Sequence, residues 1–296
     1  MSSDQIVNDL ETKEAIERRV NCTPDERFAC EIVFARKLRL TEAMDDMSDL
    51  AADLALATGR GELYAAFQPQ ISLETGAIVA VEGLCRWLHP ERGLIAPDIF
   101  IPVAERTGSI NEIGAFMMDE CIAAADAWQR AGTSIGVSVN VSPVQLADGS
   151  ASDGLAQQAR RSEGTARLLT MEITESLPLK NLAVVVPRLK DLRSIGMGIA
   201  LDDIGSGHAS IDQLDDLPIT ELKLDRSLIQ SEDAATALVL ATIMTAAVSR
   251  GLRVVAEGIE TAAHLELARS LGCDRAQGFL LGMPMPRSDV DRLLAA

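Results

Sequence analysis

The chain has 296 residues, of which 47% are apolar and only 3% aromatic, and it carries a formal net charge of −17. Such a surface repels nucleic acid polymers and anionic membranes, yet it leaves room for a small phosphate ligand wherever divalent metals reverse the local charge. The five cysteines are scattered without a CxxC, which argues against a disulfide framework or a zinc ribbon; the acidic N-terminus does not read as a signal peptide and no apolar run approaches the roughly 20 residues that span a bilayer, so the expected location is cytoplasmic, without membrane insertion.

In chain order, residues 1–22 are polar. From Pro24 to Thr58, apolar residues recur at spacings of three and four (Leu40, Met44, Met47, Leu50, Ala51, Leu54), predicting an amphipathic helix that Gly59 and Gly61 end. This helix either packs on the main domain or pairs with a second copy, and it is a candidate contact for a regulatory partner. The boundary is placed between residues 1–60 and 61–296.

After Gly61 short strands alternate with helices. The expected strands are Leu63–Ile71, Ile78–Trp87, Ile135–Val141, Leu168–Ile173, Gly198–Leu201, Glu221–Leu224, Arg253–Ala256 and a short one near Ala276; the expected helices are Asn111–Arg130, Leu182–Ile195, Ala234–Arg250 and Ala262–Leu271. Only Glu74-Thr75-Gly76-Ala77 separates the first two strands, so they should pair antiparallel. The later strands are separated by helices and should be parallel. About eight strands in this length fit an irregular TIM-type (β/α)8 barrel, an α/β fold with an antiparallel first strand and a preceding helix. A doubly wound open sheet is the alternative, though no glycine-rich dinucleotide fingerprint follows an early strand.

Polar residues collect at the carboxyl ends of these strands: Glu82, Asn140 in GVSVN, Glu172, Asp202 and Asp203 in GIALDD, Lys223 and Asp225 in LKLD, Glu257, and Gln277 after the last strand. In a closed parallel barrel those ends meet on one face. Taken singly, each acid reads better as a cap, a turn residue or a surface charge, with Asp202 or Asp203 capping a helix near Ser206. Jointly they place five carboxylates around one mouth, which a single Lys223 cannot balance. Hard oxygen donors in that number suit two Mg²⁺ or Mn²⁺ ions, the usual clamp for in-line attack on a phosphodiester.

Seven segments in register (FQPQISLETGAIVAVEGLCRWLHPERGLIAPDIFIPVAERTGSI, SVNVSPVQL, MEITES, ALDDIGSGHAS, LPITELKLDRSLI, VVAEGIET and QGFLLGMPMP) resemble the EAL-domain family of cyclic di-GMP phosphodiesterases over residues 61–296. The resemblance implies hydrolysis of cyclic di-GMP to linear pGpG in bacterial second-messenger signalling. It implies Glu82, Asn140, Glu172, Asp202 and Asp203 as metal ligands, and Lys223 as the residue that orients the attacking water. Glu257 would bind metal or water or act as general base, three roles left open. Gln68, Leu84, Arg86, Asp225 and Gln277 would line the substrate. Glu175 would anchor the loop Asp203–Ser210, which in the family lies near a homodimer surface. Two departures stand out. Gly83 replaces the signature alanine, a loss of one methyl expected to be tolerated. The loop reads DDIGSGHAS where the family pattern is near DDFGTGYSS. If lost aromatic packing loosens that loop, the alternative is a receptor that binds cyclic di-GMP without turnover and signals through the N-terminal helix. A barrel hydrolase for another phosphodiester, or a scaffold that binds no nucleotide, is a further option. The same roles predict that Glu82→Ala or Lys223→Ala abolishes turnover with the fold intact.

Overall fold

The computed structural model describes residues 48–161, 164–174, 182–205, 217–231 and 233–295. The chain divides into two compact units, residues 1–53 and 54–296. Residues 48–60 form helix α1, whose part within the second unit buries Leu54 and Ala57. The earlier members of the predicted stripe, Leu40 to Met47, lie outside the described residues. Gly59 does not end the helix: the helical turn continues through Arg60, and Gly61, at φ +70°, terminates it.

Two long strands follow, β1 (Leu63–Ser72) and β2 (Ile78–His89), joined by a turn in which Gly76 takes φ +73°. They pair antiparallel from Leu63↔Trp87 to Ile71↔Ile78. A short β3 (Gly93–Ile95) folds back on the outer end of β2. Then come α2 (Pro97–Thr107), α3 (Ile110–Arg130), β4 (Gly136–Asn140), α4 (Pro143–Ala147), α5 (Gly149–Arg161), β5 (Leu169–Thr174), α6 (Leu182–Ser194) and β6 (Gly198–Ile204). The chain ends with β7 (Glu221–Leu224), α7 (Arg226–Ile229), α8 (Ala234–Arg250), β8 (Arg253–Ala256), α9 (Ala262–Leu271), β9 (Arg275–Ala276) and α10 (Arg287–Leu294).

Strand neighbours run β1-β9-β8-β7-β6-β5-β4-β2, and β2 returns to β1, so eight strands close on themselves. Every pair from β2–β4 round to β8–β9 is parallel; β1 is antiparallel to both its neighbours. The predicted irregular (β/α)8 barrel is therefore the fold. The longest periodic helices match their expected bounds within one residue, and α8 and α9 match at both ends. Local chemistry explains this: Asp233 and Thr261 accept the first helical N–H groups, and Gly251 and Gly272 adopt left-handed conformations at the other ends.

β3, α2, α4, α5, α7 and α10 were not anticipated. Pro102 inside α2 reads as a breaker, and the GSASDG start of α5 reads as a loop. α2 and α4 matter for the site, because they wall the space above β2 and β4. Ser142 caps α4 in a full capping box with Gln145, and its hydroxyl donates to Glu105 on α2 at 2.5 Å.

α3 crosses behind β2 and β4 with Met117, Met118, Cys121, Ala124, Ala125 and Trp128 buried. Gly83, directly after Glu82, is where this packing is tightest. A Cβ at position 83 would lie 2.5 Å from the Cys121 sulfur and 3.3 Å from the Ser138 carbonyl oxygen. The Cys121 sulfur thus occupies the space that a methyl at position 83 would need. Overpacking a closed core costs about 1–3 kcal/mol. Gly83→Ala should lower the melting temperature, and Gly83→Ala combined with Cys121→Ala should recover most of the loss; thermal denaturation of the three proteins checks it, and additive losses would refute the steric coupling.

Candidate metal and phosphodiester site

Strand alternation decides which side chains enter the barrel. Gln68 and Gln70 on β1, Glu82 on β2, Ser138 on β4, Glu172 on β5, Asp202 on β6, and Glu221 and Lys223 on β7 are all buried polar residues. Residues two apart share a face, so the interior carries a column of polar groups. The register brings them level: Gln68 opposes Glu82, Glu82 opposes Ser138, and Asn140 opposes Glu172.

Lys223 is at the centre and is 0% exposed. Its Nζ lies 2.7 Å from Glu172, 2.7 Å from Glu257, 3.1 Å from Asp202 and 3.4 Å from Glu82. Around this ring, Asn140 donates to Glu82 Oε1 at 2.7 Å and Gln277 donates to Glu82 Oε2 at 2.6 Å. Gln277 also donates to Gln68 at 3.1 Å, and Gln68 donates to the Gly282 carbonyl at 3.0 Å. Asp203 sits beside them on a distorted edge: the β6–β7 register shifts between Leu201 and Ile204, and Asp203 has φ +59°, an uncommon conformation for a side chain with a Cβ. The twist lets two consecutive aspartates serve the same space. Oxygen atoms of Asp202, Asp203 and Glu257 all lie within 4.8 Å of one another.

The charges are unbalanced. Four carboxylates contact one ammonium, and burial makes each uncompensated charge costly. Burial drives the Lys223 ammonium toward neutrality, but the surrounding acids, Asp202 foremost, outweigh it and hold its pKa well above the ordinary lysine value. Burial, then the neighbouring Glu82, pushes the Glu172 carboxyl well above the ordinary range. Burial also raises Asp202 against the pull of Lys223. It raises Asp203, helped by Asp202 and Asp225, to about 6. Glu257 rises to about 8, again mainly by burial. Glu82 differs: burial pushes it up, but Lys223, Asn140 and Gln277 together hold it below its ordinary value. Glu172 Oε1 is buried and, among the described residues, has no hydrogen-bond partner. An orphaned carboxylate oxygen, a set of acids driven toward protonation and an all-oxygen donor set fit a divalent cation.

Two cavities open at this face. One of about 190 Å³ is lined by Gln68, Glu82, Glu257, Gln277, Arg226 and the exposed Phe279. The other, of about 400 Å³, lies between β2, α2 and α4 and takes in Leu84, Arg86, Asn140 and Thr174. Arg86 donates to the Cys85 carbonyl at 2.9 Å, which sets its guanidinium at that cavity wall. Asp225 does two jobs: its carboxylate accepts from the Ser227 backbone N–H at 2.9 Å, capping α7, and its charge helps raise Asp203. Glu175, residues 206–210 of the loop Asp203–Ser210, and the helix expected near Ser206 lie outside the described residues.

Gln70 was missed by the sequence reading. It is fully buried and donates to Gln277 Oε1 at 3.0 Å. Its position two residues from Gln68 on one strand was the available signal.

The chain matches the family model described as EAL domain over residues 51–284. It is 36% identical over 250 residues to the bifunctional diguanylate cyclase/cyclic di-GMP phosphodiesterase MucR of Pseudomonas aeruginosa, covering 83% of this chain and 36% of that protein. It is 32% identical over 255 residues to the oxygen sensor protein DosP of Escherichia coli, covering 85% and 32%. The chain thus spans about a third of the length of these curated relatives. Among solved structures, the PaMucR phosphodiesterase in complex with c-di-GMP superposes with a TM-score of 0.77 at 36% identity, covering 82% of this chain and 99% of that one. The EAL enzyme Bd1971 in its cGMP-bound form gives 0.79 at 25% identity, covering 94% and 77%. By the match along the barrel and the identity to these relatives, the chain belongs to the EAL domain family.

Proposed function

We propose that this chain is a phosphodiesterase that hydrolyses cyclic di-GMP to linear pGpG with the help of two divalent cations, Mg²⁺ or Mn²⁺. The observation that carries it is the Lys223 ammonium held among Glu82, Glu172, Asp202 and Glu257, with Asp203 close enough to share ligands. Relatives named as cyclic di-GMP phosphodiesterases, in Pseudomonas aeruginosa, share 34–36% identity with it.

Glu82, Asn140, Glu172, Asp202 and Asp203 would hold the cations, with Glu257 beside them as ligand or base. Bound divalent cations neutralise phosphate charge and make water acidic enough to attack near neutral pH. The chain's own groups do the rest. Lys223 supplies three N–H donors in a dry site, where it can orient the attacking water and oppose the charge that builds on phosphorus. Gln68 and Gln277 present amides to the nucleotide from the smaller cavity. Arg86 offers a planar fork to a phosphate and Leu84 an apolar face in the larger cavity. Asp225 contributes through the α7 cap beside Asp203. On this reading residues 61–296 would carry the activity, the loop Asp203–Ser210, with Glu175 as its anchor, would support a homodimer, and the N-terminal helix would receive a regulatory partner in the cytoplasm.

Incubation of purified protein with Mg²⁺ or Mn²⁺ and cyclic di-GMP, followed by chromatography, should show linear pGpG. Tight binding without a linear product would leave the receptor function, and no binding at all would point to another phosphodiester.

Lys223→Ala should abolish that turnover, but the expectation of an intact fold needs amending. Breaking a buried charge cluster by removing one partner costs about 3–5 kcal/mol. The variant should therefore melt well below wild type in chelator and recover with Mn²⁺; wild-type turnover would refute the role of Lys223.

Stability should also depend on pH in one direction. In metal-free protein Glu257 titrates near 8 and Asp203 near 6, both above their ordinary values. The folded state then holds protons that the unfolded state has released, so this contribution is lost as pH rises through those values. The melting temperature in chelator should fall between about pH 5 and pH 9, while saturating Mn²⁺ should flatten the profile, because cations displace those same protons. A chelated protein that gains stability across this window would refute the assignment.

A further inference from the structure

A line of hydrogen bonds runs through the barrel from its far end to Glu82. At the amino-terminal ends of β7, β8 and β9, the buried Glu221 carboxylate meets Arg253 at 2.8 Å and Arg275 at 3.6 Å. Arg275 donates to Gln70 Oε1 at 3.3 Å, Gln70 Nε2 donates to Gln277 Oε1 at 3.0 Å, and Gln277 Nε2 donates to Glu82 Oε2 at 2.6 Å and Gln68 Oε1 at 3.1 Å. Gln68 then donates to the Gly282 carbonyl at 3.0 Å. Gln70, Gln277, Gln68 and Glu82 are each 7% exposed or less.

A glutamine amide can point either way, but a guanidinium only donates and an ionised carboxylate only accepts. With Arg275 at one end and Glu82 at the other, a single orientation of the amides satisfies every link. Turning any one of them sets two oxygens or two NH2 groups face to face in a buried interior and leaves polar groups unsatisfied there.

We infer that Gln70 and Arg275 are positioning residues for the site: they fix the Gln277 amide so that its NH2 group faces Glu82 and Gln68. Neither touches the cluster itself. Outer partners of this kind orient metal-binding carboxylates, and losing one costs about 10–100-fold in metal affinity or activity. The inference rests on the phosphodiesterase reading for its catalytic consequence, though not for the amide orientation.

Gln70→Glu keeps size and shape, and the introduced carboxylate still accepts from Arg275. Ionised beside Arg275, it cannot donate to Gln277, so that amide must turn and present its oxygen to Glu82. Gln70→Met removes the same donor without adding charge. Both variants should stay folded, bind Mn²⁺ about 10-fold or more weakly by calorimetry without nucleotide, raise KM for the dinucleotide and shift the side-chain NH2 resonances of Gln68 and Gln277. Arg275→Lys, another pure donor, should keep those resonances and the Mn²⁺ affinity, whereas Arg275→Met should disturb both. A role in filling space alone predicts altered melting with unmoved amide resonances. The inference falls if Gln70→Glu and Gln70→Met both keep the wild-type resonances and Mn²⁺ affinity. The resonances are read in metal-free protein, so they decide the amide orientation even if wild type lacks turnover or metal binding, results that would instead sink the phosphodiesterase reading.

Discussion

A single ammonium ion buried among acids is the constraint from which the rest of this barrel follows. Lys223 is fully buried and has four carboxylates within 3.4 Å. Those acids come from β2, β5, β6 and the end of β8, far apart in the chain. No hairpin or single helix could gather them; closure of a mostly parallel sheet does, because it turns the carboxyl ends of non-neighbouring strands toward one axis. The aliphatic core between sheet and helices supplies the stability that lets the barrel interior stay polar. Buried Leu, Ile, Val and Ala residues fill that layer, as the low aromatic content required.

The antiparallel first strand has a consequence in the same terms. β1 enters the barrel in the opposite sense, so Gln68 stands level with Glu82 and Gln70 one step deeper. A parallel strand followed by a helix would end at the mouth; β1 instead starts on that side, carries amides down the axis toward Arg275 and turns back into β2 at the far end. Amides suit this place. They add donors and acceptors without adding charge to a site that already has too many negative groups, and they link Glu82 to the glutamines beside it.

Much of this was legible in the residues. The hairpin, the parallel strands and the capped helices α8 and α9 follow from turn length, periodicity and caps that act locally, which is why β7, β8, α8 and α9 match their expected bounds. The acids at strand ends could be found because capping, which explains any one of them, does not explain so many closing apolar strands together. What could not be read is what depends on neighbours distant in sequence. Pro102 sits inside a helix because the surrounding packing overrides its local cost. Cys121 under Gly83 is invisible without knowing that α3 crosses β2 there. Gln70 looked like one more polar strand residue until Gln277, 207 positions later, was placed against it. Asp225 shows the opposite case, a residue expected at the substrate whose carboxylate is engaged in capping α7.

The same electrostatics bear on why the cluster is built as a cluster. Were stability alone at stake, apolar residues of similar volume would do as well or better than buried ion pairs. Here the acids outnumber the ammonium, Glu172 keeps an oxygen with no partner among the described residues, and Asp203 holds an uncommon backbone conformation. Each feature costs folding free energy, and the three belong to the same group of side chains around Lys223 and Asp202. Strain and unsatisfied charge gathered at one point are expected where structure has been shaped by binding rather than by folding. The donor set narrows what is bound: carboxylate and amide oxygens, with no thiol or imidazole in the ring among the described residues, favour hard cations over zinc or copper. Lys223 then has a reason to be fully buried. A cation fixed in the protein cannot by itself balance the acids, but it can hold them in place while the balance is completed from outside.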